Sequence, residues 1–202
     1  LALAGQDGPL VVLDEAYADF GEDSFLTDAP STDRLLVLRT FSKLYGMAGL
    51  RVGFAVGPPD LIQEAEKARG PYKLTHLGER AAVAALQASS DWTERIRRET
   101  LENRQRLFLE LARRGLEPLP SSANFLLVPV EPASATEVNR ALRERGVTAR
   151  PFSALPEIGD ALRVTIGPWE LMAQFLQALD ELFEPARSGS DTPDPNSLEV
   201  ES

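Results

Sequence analysis

Three short apolar runs open the chain: PLVVLDE at 9–15, RLLVLRT at 34–40 and LRVGFAVG at 50–57. Each is too short for a helix, and the first ends in two acids. That pattern suits buried parallel strands whose carboxyl ends carry polar residues. The segments between them are rich in Asp, Gly, Ser and Pro and read as loops. The period then changes. PPDLIQEAEKARG predicts a short helix with prolines near its first turn and Gly70 at its end, and GPYKLTHLG predicts a loop. From Gly78 to Arg114 the pattern is helical, first alanine-rich and then charged and amphipathic. Asp91 is a candidate N-cap inside that stretch, so it holds two helices or one kinked helix, and Gly115 closes it.

The last third has a different rhythm. EPLPSSANFLLVPV predicts a strand around 123–130, and ATEVNRALRERG an amphipathic helix closed by Gly146. VTARPF and ALRVTIG (161–167) predict strands, and PWELMAQFLQALDELF a final helix. Strand–helix–strand–strand–helix is the order of a small α+β unit. The expected fold is therefore α/β for residues 1–90, with a mostly parallel sheet, followed by a C-terminal α+β domain over 91–185. Residues 186–202 are rich in Ser, Pro and acids and are expected to form a disordered tail. No internal repeat is visible.

Composition narrows the function classes. The 202 residues carry a formal charge of −10, which argues against nucleic acid as a partner. There is no cysteine, which excludes disulfides, thiolate zinc sites and cysteine nucleophiles. The single histidine, His76, cannot build a histidine-rich metal site and reads as a helix-start or core residue, so no metal is expected. No apolar run reaches the length of a membrane span and no signal peptide opens the chain, so a cytoplasmic protein is expected. The chain opens without methionine and reaches a strand within a few residues, which reads as the C-terminal part of something longer.

Of 21 basic residues only Lys43, Lys67 and Lys73 are lysines. Arginine stays protonated, whereas a lysine amine can lose its proton and attack a carbonyl. Lys43 lies among small residues in RTFSKLYGMAGLRVGFAVG (39–57), with Arg51 eight positions on. Asp14, at the end of a buried strand, needs a cationic partner. If Lys43 forms a Schiff base with pyridoxal phosphate, that partner could be the protonated pyridine nitrogen. Tyr17 could then reach the ring's phenolic oxygen. Thr40, Ser42 and Arg51 could hold the phosphate, with Gly46 and Gly49 letting the backbone approach. Each residue also has a plain structural reading: Asp14 as a cap, Tyr17 as core, Arg51 paired with Glu15.

DEAYADF (14–20) followed by RTFSKLYGMAGLRVGF (39–54) resembles the pyridoxal-phosphate-dependent aminotransferases of fold type I. Within these it is most similar to the histidinol-phosphate aminotransferase branch. GPYKLTHLGERAAVAAL, SSANFLLV and GVTARPF…ALRVTIG extend the resemblance over residues 9–183. It implies a large cofactor-binding domain and a small C-terminal domain, with Lys43 as the Schiff-base lysine and proton shuttle. It implies Asp14 as pyridinium partner, Tyr17 at the ring hydroxyl, and Thr40, Ser42 and Arg51 at the phosphate. Arg163 matches the arginine for the substrate carboxylate, and Arg150 one for the substrate's distal phosphate. The implied partners are a small amino donor and a keto-acid or keto-phosphate acceptor, and the implied assembly is a homodimer. The family's glycine-rich segment, ring-stacking aromatic and ring-hydroxyl asparagine would lie upstream of this sequence.

The reading this favours is histidinol phosphate and 2-oxoglutarate exchanging an amino group to give imidazole-acetol phosphate and glutamate. Alternatives are an aromatic or broad-range aminotransferase, an amino-acid-phosphate decarboxylase, a non-catalytic pyridoxal-phosphate module, or an inactive fragment.

Overall fold

The computed structural model describes residue 4, residues 8–88 and residues 90–183 and contains two three-stranded sheets among them. The proposed tail over 186–202 lies outside the described residues. The first sheet is built from β1 (Val11–Asp14), β2 (Leu35–Thr40) and β3 (Gly53–Val56), in that order. β1 runs parallel to β2, as expected, but β3 runs antiparallel to β2. The connection explains the difference. Residues 41–52 fold straight back, closed by Phe41 N–H to Val52 O at 3.1 Å and Met47 N–H to Phe41 O at 3.0 Å. Gly46 turns the chain at a left-handed φ of 66°. A direct return without a crossover must pair antiparallel.

The strands are also less buried than their apolar runs suggest. Leu35 and Val37 are buried against Ala29, Val11, Leu13, Phe25, Leu26 and Val56. Their neighbours on the opposite face, Val12 and Leu38, are 51% and 36% exposed. The sheet is therefore covered on one face among the described residues. Gly53 belongs in β3 because a Cβ there would sit 2.8 Å from Arg39 O across the ladder.

α1 (Pro59–Ala68), α2 (His76–Ala88) and α3 (Ser90–Arg113) follow. His76 does open a helix, and its side chain is fully exposed. The long helical stretch resolves into two helices. Asp91 lies one residue inside α3, not at its cap. α3 has 24 residues, a rod of about 36 Å at 1.5 Å per residue. Its Asn103, Leu107 and Leu111 recur at four-residue intervals and are all buried, so one stripe faces inward. Gly115 ends the segment at φ 78°.

The second sheet has the order β4-β6-β5 and is antiparallel throughout, from β4 (Phe125–Pro129), β5 (Arg150–Leu155) and β6 (Gly159–Thr165). α4 (Ala135–Glu144) and α5 (Trp169–Phe183) complete it. The larger core lies here: Leu126 and Val128 alternate inward from β4 to meet Leu107, Leu111, Leu142, Leu162 and Leu179. Asn103 Nδ2 donates to Gly167 O at 2.9 Å, so the polar member of the α3 stripe is satisfied. Asp160 accepts from the amides of Ala135 and Ala154, tying α4 and β5 to β6. Among the described residues no helix is long and apolar enough to cross a membrane.

Leu111 has no exposed surface and sits where α3 meets this core. Leu111→Ala is expected to lower unfolding free energy by about 2–5 kcal/mol in urea titration, the range for a buried leucine that leaves a cavity.

Candidate active site

β1 delivers its last residues to the end of the first sheet. Glu15 N–H donates to Leu38 O at 2.9 Å, and the chain then enters a 3₁₀ turn at Ala18–Phe20. Paired residues share a face, so Asp14, its partner Leu38 and, two residues along β2, Thr40 lie on one side of the sheet. Past Thr40 the chain turns sharply. Ser42 N–H donates to Thr40 Oγ1 at 3.0 Å, and Gly46 N–H to Lys43 O at 3.0 Å. That turn sets Lys43 Nζ 4.7 Å from the ring centroid of Tyr17. Lys67 and Lys73 are occupied by Glu64 and Glu66. Lys43 has no carboxylate partner among the described residues; the π face of Tyr17 is what it meets.

The aromatic contact continues into the second sheet. Tyr17 meets Phe125 of β4 edge to face, with centroids 5.3 Å apart at 82°. The Arg163 guanidinium of β6 lies 5.2 Å from the Phe125 ring. Lys43, Tyr17, Phe125 and Arg163 thus form one chain of contacts between two sheets. Arg163 Nε is buried and has no hydrogen-bond partner, the one side-chain atom in that condition among the described residues. A buried N–H of a charged group left open is costly unless an anion completes it. Arg150 stands directly opposite Arg163 in the β5–β6 ladder, on the exposed side, 5.4 Å from the Phe152 ring. Like charges facing across strands repel, and an anion between them would offset that.

Two expected residues are placed differently. Asp14 is not buried: its side chain is exposed, it has no basic partner among the described residues, and Oδ1 accepts the Ala16 amide at 3.0 Å. The cause is the one-sided cover of the sheet, which leaves Asp14 on the same face as Val12. Arg51 adopts a left-handed φ of 56° and turns its Nη1 back to Ala48 O at 3.0 Å. It is exposed and does not pair with Glu15. Gly49 has open space around it.

Glu15 is instead held by Arg39, a residue the sequence reading passed over. Arg39 Nη1 donates to Glu15 Oε2 at 3.0 Å and Nη2 to Asp19 Oδ1. Burial works to raise the Glu15 pKa, but the Phe25 amide, the Ser24 hydroxyl and Arg39 outweigh it and hold the carboxyl below its ordinary value. Asp19 goes the other way, because burial there exceeds the attraction of Arg39. α3 closes the site from behind. Arg97 Nε donates to Asp19 O at 2.8 Å, and Arg104 Nη1 to both Phe20 O at 3.1 Å and Ala123 O at 2.7 Å. Burial, then the nearby Arg97, depress the Arg104 pKa. A cavity of about 570 Å³ lies here, lined by Asp14, Tyr17, Phe20, Arg97, Arg104 and Ser122 among others. Phe125 lay inside the SSANFLLV motif, and its alternation in a strand was the available signal.

Comparison with known proteins places this geometry in context. The profile of the family described as aminotransferase class I and II matches residues 1–179. Histidinol-phosphate aminotransferase 2 of Rhizobium meliloti is 42% identical over 183 residues, covering 90% of this chain and 52% of the relative. Histidinol-phosphate aminotransferase 2 of Gluconobacter oxydans is 40% identical over 87% of this chain and 50% of its own length. The chain spans about half the length of the curated relatives it matches. Among solved structures, histidinol-phosphate aminotransferase from Sinorhizobium meliloti in complex with pyridoxal-5'-phosphate superposes with a TM-score of 0.74 at 30% identity, covering 86% of this chain and 48% of that one. The Clostridium acetobutylicum enzyme superposes with a TM-score of 0.82 at 23% identity, covering 90% and 56%, a likeness of fold.

Because the folded Glu15 pKa lies below its unfolded value, its stabilising contribution is present above about pH 4.3 and is lost as pH falls through the folded value. Glu15→Gln is therefore expected to lower the denaturant midpoint at pH 7, with the gap from wild type narrowing as pH drops below that point.

Proposed function

The chain belongs to the class I and II aminotransferase family, and on that premise we propose that it serves pyridoxal-phosphate-dependent transamination. The reaction proposed is histidinol phosphate and 2-oxoglutarate giving imidazole-acetol phosphate and glutamate. The observation that carries it is the Lys43 amine, without a carboxylate partner, joined through Tyr17 and Phe125 to the open, buried Nε of Arg163. The residues present fit the cofactor by their chemistry: an amine in contact with a phenol, an exposed carboxylate and two hydroxyls stand at one end of the first sheet, and an unsatisfied guanidinium lies beyond the Phe125 ring. Pyridoxal phosphate, when bound, supplies the aldehyde that takes the amino group and a ring that draws electrons from the substrate Cα–H bond.

In this reading the Lys43 amine would hold the cofactor and would be the base that moves the proton at the substrate Cα. Asp14 has no basic side chain of its own to neutralise, which leaves its carboxylate for a protonated ring nitrogen. Tyr17 has no hydrogen bond to its hydroxyl among the described residues and offers it to the ring oxygen. Thr40, Ser42 and Arg51 bind the phosphate; Ser42 contributes its hydroxyl, and Arg51 the guanidinium nitrogens not turned to Ala48 O. Arg163 orients glutamate through its carboxylate, or the phosphate of histidinol phosphate in the other half-reaction, with Arg150 beside it.

The domain division belongs to the same proposal: residues 1–90 as part of the cofactor-binding domain and 91–185 as the small one. The separate sheets and cores support it, with α3 joining them. A homodimeric assembly, implied by the resemblance, and a cytoplasmic location belong to the proposal as well.

Treatment of the chain with pyridoxal phosphate and borohydride, followed by peptide mass spectrometry, is expected to mark Lys43 ahead of Lys67 and Lys73. A visible absorbance band should appear and be absent from Lys43→Ala; no Lys43-dependent band would overturn the reading. In an assay with histidinol phosphate and 2-oxoglutarate, Arg163→Met is expected to reduce kcat/KM about 10- to 100-fold, the loss for a charge-assisted hydrogen bond.

A further inference from the structure

We propose that Arg39 is a positioning residue for the site, setting Asp14 and Tyr17 through a two-carboxylate clamp; this rests on the function proposed above. Arg39 sits between Leu38 and Thr40 in β2, so its side chain leaves the sheet on the face opposite to Asp14 and Thr40. It cannot act on a group bound at the Asp14 face directly. Its two nitrogens grip Glu15 and Asp19, and those residues bracket the turn that carries Tyr17.

Both residues are fixed a second time, Glu15 through its carboxylate and Asp19 through its backbone carbonyl. Glu15 accepts the Phe25 amide and the Ser24 hydroxyl, both at 2.7 Å. Asp19 is held through its carbonyl by Arg97 of α3. The side chains of Arg39, Glu15 and Asp19 are 14%, 10% and 15% exposed. In every other ion pair among the described residues both partners are at least 25% exposed. Surface pairs contribute little, whereas a sheltered and doubly bonded cluster holds one geometry. Here that geometry is the spacing from residue 15 to residue 19, and with it the placement of Tyr17 against Lys43. Asp14 is coupled through the next peptide, since Glu15 N–H is bound to Leu38 O. The clamp is specific to arginine, because a lysine ammonium lacks the planar fork that reaches two carboxylates at once.

The test compares Arg39→Met, Arg39→Lys and the remote core variant Leu111→Ala by two readouts on the full chain. The first is hydrogen exchange at residues 16–20 without cofactor. The second is the pH midpoint of the visible band formed with pyridoxal phosphate. Arg39→Met is expected to speed exchange about tenfold or more at those amides and to move the midpoint, with Arg39→Lys falling between it and wild type. Leu111→Ala should lower the melting temperature yet leave both readouts at wild-type values. If Arg39→Met lowers the melting temperature but leaves both unchanged, the residue is a structural tie and the proposal falls. If the wild-type chain forms no band, the cofactor reading fails on its own, and unchanged exchange would still overturn the clamp. Should Arg39→Met not fold, Glu15→Gln, which removes half the clamp, meets the same two readouts and the same criterion.

Discussion

One guanidinium group, that of Arg104, bonds two carbonyls that lie far apart in the chain, Phe20 O just after the Tyr17 turn and Ala123 O just before β4. Everything proposed for the site depends on that junction. Among the described residues no other side chain bonds both the turn of the first sheet and the entry to the second, and without it the Tyr17–Phe125 contact would rest on one edge-to-face pair and on Arg97, which ties the turn to α3. The donor comes from the middle of a helix whose far half is sealed into a core by Leu107 and Leu111. A rigid element thus carries the order of a packed interior to a loop that has little packing of its own. Burial of the charge is offset by the two hydrogen bonds it donates, the condition under which a sheltered arginine is tolerated.

The charges around this junction fall into two kinds. Arg39, Glu15 and Asp19 are mutually satisfied and define a fixed geometry. Lys43, Arg150, Arg163 and the carboxylate of Asp14 have no ion-pair partner among the described residues. Self-contained charges serve architecture, and open ones are where a ligand can gain binding energy. The boundary between the two kinds runs through a single peptide, 14 to 15. Adjacent strand residues face opposite ways, so a sheet can separate support from chemistry in this manner.

The elements were largely legible in the sequence, because apolar alternation and helical period are local. PLVVLDE, RLLVLRT and the α4 and α5 segments could be read without reference to anything distant. The direction of β3 was not legible in that way, since it depends on whether residues 41–52 cross over or fold back. Asp14 was read as buried from its own strand, whereas burial depends on what covers the sheet face. Lys43, Tyr17 and Asp14 stood out through order and spacing. Arg39 did not, because an arginine between Leu38 and Thr40 looks like an ordinary outward position, and its partners lie 20 and 24 residues away. The Tyr17–Phe125 contact joins segments that no local pattern connects. Arg51 was assigned by its place in a motif, yet its backbone at φ 56° turns the side chain to its own loop.

The two arginines facing each other in the β5–β6 ladder have a consequence for how this molecule will behave in solution. Repulsion between paired positive residues is relieved by a small oxyanion that enters, so sulfate or inorganic phosphate in a buffer is expected to act as a weak ligand of the folded form. Ionic strength acts as well, screening the repulsion without occupying the place. Apparent melting points and apparent affinities will therefore depend on the anion present as well as on its concentration, and comparisons between preparations have meaning only in matched salts.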